Sequence, residues 1–185
     1  MRLKLAVRPY EKVVGTTKRL YDVRLERCAN FLENFSMKGY KRIIQEIIAD
    51  FGQIEVTQTV KPRVGIVGEI LVKFHPYANN QLIDIIEAEG GEAVVPDFID
   101  FFLYGLFNRR FKASHFGMSK LMAGFGSIAI DYIEYYRNPI RKALLATDRF
   151  EAPLEIGEIA EKAEHVLSLG NQWVKGGCSL EKSWS

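Results

Sequence analysis

Two short β-branched runs on either side of an amphipathic segment constrain this chain more than any other feature. Val64-Gly65-Ile66-Val67-Gly68 follows the boundary Lys61-Pro62-Arg63 and ends in glycine, which predicts a buried parallel strand. Residues Glu69 to Tyr77 then read as a loop or short extension, and Asn79 and Asn80 offer helix N-caps. The helix expected over Gln81 to Glu89 carries Leu82, Ile83, Ile85 and Ile86 and stops at Gly90-Gly91. Ala93-Val94-Val95, ahead of Pro96, predicts the second strand. Strand, crossover helix and strand in succession form a βαβ unit, whose handedness forces a parallel sheet. The expected fold class is therefore α/β, with that unit spanning residues 63–96.

The rest of the chain reads as a helical surround. Residues 1–60 form an N-terminal lead-in in which Arg8-Pro9-Tyr10 interrupts the run Leu3 to Val7, because proline fixes its φ and donates no backbone hydrogen bond. Leu20, Val23, Leu25, Cys28, Phe31 and Leu32 are spaced for a helix over Thr17 to Phe35. Ile43, Ile44, Ile47, Ile48 and Phe51 make a clearer apolar stripe, with Gly52 as its stop. Phe98 to Phe107 predicts an aromatic helix closed by Asn108-Arg109-Arg110. A long helix through Leu121, Phe125, Ile128, Tyr132, Ile133 and Tyr136 is expected to stop near Asn138-Pro139, and Gly124 and Gly126 within it predict close packing. Ile156, Ile159, Ala160, Ala163 and Val166 predict a last helix.

Composition narrows the function classes. With 25 Lys+Arg against 23 Asp+Glu the formal net charge is only +2, so no field argues for nucleic acid or an anionic membrane as partner. The uncharged apolar run Phe101 to Phe107 falls far short of the roughly 20 residues of a membrane helix. No signal-peptide pattern opens the chain. Cys28 and Cys178, 150 positions apart, make neither a disulfide framework nor a metal site. A cytoplasmic protein is expected.

Few residues offer chemistry. Gly65-x-x-Gly68 lacks the three-glycine fingerprint of dinucleotide binding, and no helix follows it at once. Glu69, Lys73, His75, Tyr77, Asn79 and Asn80 mix a carboxylate, an amine, an imidazole and two amides just past the expected strand. Open α/β sheets place their ligands there. The alternatives are a solvated polar loop with an asparagine cap, or contact with a ligand or another subunit. Of these residues Glu69, Lys73, His75 and Asn79 are the ligand-contact candidates. His115 and His165 have no second metal ligand at suitable spacing and read as surface or packing residues. Arg109, Arg110 and Lys112 read as cations closing a helix, and Cys28 as a small buried hydrophobe.

Several motifs, in order, resemble one family. They are Arg8-Pro9-Tyr10-Glu11, the stretch Pro62 to Phe74 continuing through Asn79-Asn80 to Val94-Val95-Pro96, and Asp100-Phe101-Phe102-Leu103-Tyr104. Tyr136-Arg137-x-Pro139-Ile140-Arg141-Lys142-Ala143-Leu144 and Leu167-Ser168-Leu169-Gly170-Asn171-Gln172 complete the set. Together they resemble the 2-hydroxyacyl-CoA dehydratase-like component of the CoA-substrate-specific enzyme activases. The resemblance implies Rossmann-like α/β lobes, cysteine-bound [4Fe–4S] clusters, an acyl-CoA substrate, and a partner ATPase of the actin/Hsp70 type. In that chemistry ATP hydrolysis drives a low-potential electron into the cluster, which performs radical dehydration or reduction of the acyl-CoA. This chain departs from the pattern in lacking the ATPase portion and almost all of the cysteines a cluster requires.

Residues 61–172 are thus expected to form an α/β lobe with helices, and 173–185 an out-of-frame tail. In the family Gly170-Asn171-Gln172 continues into a Gly-Glu-Gly-Trp motif. A permitted coding string for Trp173 to Ser185, read from its third base, encodes GEGWLFLGEIVE. A net one-base loss after the Gln172 codon is therefore expected. No cofactor is expected in such a fragment, and self-association is expected through an apolar edge or face left uncovered.

Overall fold

The computed structural model describes residues 1–115 and 120–164, and the side chains of all of these but 71, 72, 109–115, 120–123, 125 and 164. His165, Gly170-Asn171-Gln172 and the segment 173–185 lie outside the described residues, as do the side chains of Arg109, Arg110, Lys112 and His115. The chain is mostly helical with a small two-stranded parallel sheet, and is α/β in that loose sense. It divides into two compact units that alternate along the sequence. The first comprises Met1–Arg63, Asp84–Ala93 and Asn138–Ala152. The second comprises Val64–Ile83, Val94–Arg137 and, among the described residues, 153–164. No helix among the described residues is long and apolar enough to cross a membrane.

The first unit begins with α1 (Arg2–Val7), followed by a 3-10 turn over Arg8–Tyr10. Next come α2 (Thr16–Glu33) and α3 (Met37–Gln53). Ser36 caps α3 by accepting from the Gly39 N–H at 3.1 Å. Gly39 is required there, because a Cβ would stand 2.6 Å from the Phe31 ring. The stripe on α3 does what its spacing predicts: Ile44, Ile48 and Phe51 are buried with Val7, Ile54, Leu144 and Phe150 in one core. α2 packs Leu20 and Tyr21 against that core and is also tied to α3 by charge. Arg24 pairs with Glu46 and Asp50 of α3, and Arg27 also reaches Glu46. Val23, Leu25 and Leu32 stay exposed, and Cys28 is half-buried rather than buried. Its helical spacing was sound, but its apolar residues straddle more than one face.

The parallel pair consists of β1 (Arg63–Gly65) and β2 (Glu92–Val94). Within the first unit the Glu92 N–H donates to the Pro62 carbonyl at 2.9 Å, and within the second the Ile66 N–H donates to the Val94 carbonyl at 2.8 Å. β1 is shorter than expected and exposed along its length, so the buried strand expected over Val64 to Gly68 reduces to a solvent-facing one followed by the buried Ile66. The helix α5 (Leu82–Ala88) matches the crossover helix, whereas Glu69 to Tyr77 is not simply loop: Ile70–Phe74 winds into a short helix, α4.

Besides α4, the second unit holds α6 (Phe98–His115), α7 (Lys120–Leu145) as far as Arg137, and α8 (Ile156–Glu164). Leu103, Ile130 and Ile156 form its core, with Tyr104, Leu106, Phe107 and Ile133 packed against them. Two expected stops fail. α6 runs through Asn108-Arg109-Arg110 to His115, and α7 carries Pro139 inside it. Proline inside a helix forfeits a hydrogen bond and costs about 3 kcal/mol. Ile140, Ala143 and Leu144, packed in the first unit's core, hold the helix past that break. Gly126 is buried with its Cβ position 3.5 Å from the Leu106 carbonyl, as close packing requires, but Gly124 is open.

Candidate functional site

The segment singled out in the sequence begins where β1 ends. Gly68, with φ 140, turns the chain in a conformation that favours glycine. Glu69 then precedes α4, and its carbonyl accepts from the Lys73 N–H at 2.9 Å. One turn apart on a helix, residues i and i+4 share a face, so Glu69 and Lys73 are neighbours in space as well as in sequence. Their environments differ sharply. Glu69 is exposed, whereas Lys73 is only 8% exposed, its ammonium 5.9 Å from the centre of the Phe74 ring. Phe74 in turn meets Phe98 edge-on at 5.2 Å, and Phe98 meets Phe102 in the same way. The amine is thus carried on an aromatic wall.

Beyond α4 the chain closes into a tight turn. The His75 carbonyl accepts from the backbone of Ala78 and Asn79 at 3.0 and 3.2 Å. His75 Nδ1 faces the Ala78 N–H at 3.4 Å, and its ring lies 6.0 Å from that of Tyr77. Both rings are exposed. Asn79 caps α5, its side-chain oxygen accepting from the Leu82 N–H at 3.3 Å. Asn80 and Gln81 follow in left-handed conformations with φ of 53 and 55, a geometry that asparagine tolerates better than most residues. Asn79 therefore has a local structural task. The turn leaves Glu69, His75 and Tyr77 at the surface beside the buried Lys73.

Other polar residues of the quoted motifs act as clamps. Asp100 and Arg137, from separate motifs, form a buried pair at 2.9 Å in the second unit, and Glu134 accepts from the same guanidinium at 3.0 Å. In the first unit Arg8 binds Asp84 at 2.8 Å and Glu87 at 2.6 Å. Glu11 accepts from the N–H groups of Gly15 at 2.6 Å and Thr17 at 2.7 Å, fastening the entry to α2. Burial pushes the Glu11 carboxyl up, but hydrogen bonds from Thr17 and Gly15 outweigh it and hold the group below its usual range.

One cavity escaped the sequence reading entirely. It lies in the first unit, with a volume of about 330 Å³, and Tyr10, Lys61, Arg63, Glu92 and Arg149 contribute its polar lining. These residues are scattered from position 10 to 149, so no spacing rule could have gathered them. Only the membership of Tyr10 and Arg63 in the quoted motifs pointed toward it. Among the described residues no three His, Cys, Asp or Glu side chains converge as a metal site. The chain matches no family model, no curated protein and no solved structure.

Proposed function

We propose that this chain is an acyl-CoA-binding lobe of the kind found in the 2-hydroxyacyl-CoA dehydratase-like component of the CoA-substrate-specific enzyme activases. The observation that carries the reading is the position of Glu69, Lys73, His75 and Asn79, immediately past the carboxyl end of β1 in a parallel pair. That is where α/β sheets bind ligands. The ordered motifs that resemble the family supply the ligand class. In this reading β1, α4, α5 and β2 are one βαβ step of a Rossmann-like lobe. The surface carboxylate and imidazole face the acyl end, and Lys73 offers a cation against the anionic ligand. Asn79 sets the turn that presents them.

A [4Fe–4S] cluster is ligated by cysteine thiolates, and the residues present do not fit one. Cys28 is half-buried in α2, and the only other cysteine is Cys178. No step through a cluster is assigned to this chain. The electron, and the ATPase of the actin/Hsp70 type that drives it, belong to partner proteins. Binding is the testable core. A short-chain 2-hydroxyacyl-CoA should raise the melting temperature saturably, and His75→Ala with Glu69→Gln should weaken that response at least fivefold without changing the unliganded melting temperature. No shift at millimolar ligand overturns the reading.

A second reading is favoured by Ile128, Tyr132 and Tyr135, exposed on α7. Large exposed apolar groups mark interaction surfaces, which suits a non-catalytic module that pairs with separate subunits. Self-association belongs to this reading, and light scattering that reports a monomer at all concentrations would count against it.

A further inference from the structure

The cavity of the first unit has a charge pattern that its structural duties do not explain. Its walls combine the apolar side chains of Val56, Val60 and Phe150 with the hydroxyls of Thr57 and Thr59. Three cations line it, Lys61, Arg63 and Arg149, against the single carboxylate of Glu92. Arg63 is already compensated. It lies 3.6 Å from Glu92 and binds Glu151 through both terminal nitrogens at 3.0 and 3.1 Å. Glu92 also accepts from the Tyr10 hydroxyl at 2.7 Å, and burial together with that bond pushes the phenol up to about 12. Tyr10 therefore stays a neutral donor that holds Glu92 in place.

Lys61 and Arg149 are different. Among the described residues neither has a carboxylate within ion-pair distance. The Lys61 ammonium stands 5.9 Å from the centre of the Tyr10 ring. Arg149 donates to the carbonyls of Gly52 and Ile54, which fixes its guanidinium in orientation without neutralising it. Burial lowers its proton affinity, the mark of a cation held without a counter-ion. The N–H groups that those two carbonyls leave over, held in a fixed plane, are suited to oxyanions.

We infer that this cavity binds a small organic phosphate, with its phosphoryl group at Lys61 and Arg149 and its apolar part against Val56, Val60 and Phe150. Two uncompensated cations match the charge of a phosphate monoester, about −1.5 to −2 at neutral pH, better than the single charge of a carboxylate. The volume of about 330 Å³ lies at the small end of ligand cavities, which limits the apolar part to roughly a ring. The inference is independent of the acyl-CoA reading, since none of these residues belongs to the segment 69–80.

Isothermal titration of the full chain with phenyl phosphate and with benzoate tests it. Phenyl phosphate should bind at one saturable site, at least tenfold more tightly than benzoate. Lys61→Gln should weaken it about tenfold, and Val60→Glu should abolish it by bringing a carboxylate to the cavity. Val60 is 99% exposed, so that substitution leaves the fold intact, and unchanged circular dichroism confirms it for both variants. Benzoate binding as tightly as phenyl phosphate, or affinity unchanged in either variant, overturns the inference.

Discussion

The two units differ in what holds them. The first has a continuous apolar core fed by α1, α3 and the end of α7, where Val7, Phe51 and Leu144 are each no more than 3% exposed. Around that core its loops are tied by side chain to backbone: Glu11 to the start of α2, and Arg149 to carbonyls at the end of α3. In the second unit Leu103, Ile130 and Ile156 cluster and Ile66, Val95, Ile159, Ala160 and Ala163 are also buried, while Phe98, Phe102, Tyr132 and Tyr135 remain at the surface. Among the described residues its buried charges include Lys73 and the Arg137–Asp100 pair, which Glu134 joins. Apolar burial stabilises in proportion to area, whereas a buried ion pair mostly specifies which segments meet. Both units thus combine apolar packing with ion pairs, but the second buries its Arg137–Asp100 pair almost fully, whereas the first keeps its pairs part-exposed.

Removing one partner of that pair is the harshest test of the contrast. Arg137→Met leaves Asp100, which is 5% exposed, without its guanidinium, and loss of one member of a buried pair costs about 3–5 kcal/mol. Hydrogen exchange should show protection lost throughout α6 and retained on α3. If the pair acts through registration, the double variant Arg137→Met with Asp100→Leu should recover most of the loss in urea unfolding. A double variant as unstable as the single one would make the second unit dependent on charge for its stability itself. Phe51→Ala is the matching probe of the first unit. Cavity formation at a residue 2% exposed should cost about 3–5 kcal/mol, with exchange rising first on α3 and α1. A second substitution cannot restore it as Asp100→Leu should restore the ion-pair variant, which separates loss of packing from loss of a charge partner.

The same contrast explains what could be read from the sequence. α3 was legible because its face packs against one core, so a 3.6-residue period survives in Ile44, Ile48 and Phe51. α5 and β2 were legible within a residue or two because turn glycines and Pro96 bracket them. The stop expected at Pro139 failed for a tertiary reason: Ile140 and Leu144 beyond it are held by a core made of distant segments. The buried character expected of β1 failed because, among the described residues, it pairs with β2 alone and its residues stay exposed. At the candidate site, the asparagine cap was visible in the sequence, since capping depends on neighbours along the chain. The burial of Lys73 against Phe74 was not, because it depends on Phe98 and the helix that carries it. The phosphate-sized cavity was the least legible of all, for its lining comes from four separated stretches.

The smallest expected effect sharpens the first unit's side of the comparison. Glu11 receives two backbone N–H groups, so Glu11→Ala should cost about 1 kcal/mol, as loss of a helix cap does. Its dependence on pH distinguishes a charged cap from a packing contact. The folded-state carboxyl titrates below its ordinary value of about 4.3. The unfolded chain therefore takes up the proton first as acid is added. The contribution of Glu11 is fully present above the unfolded value and is lost as pH falls through the lower folded one. Acid titration followed by circular dichroism should show the wild-type and Glu11→Gln proteins converging in stability toward pH 2 and separated by their full difference above about pH 5. A difference that stays constant across that range would assign Glu11 a packing role, and the loops of the first unit would then be held by shape rather than by charge.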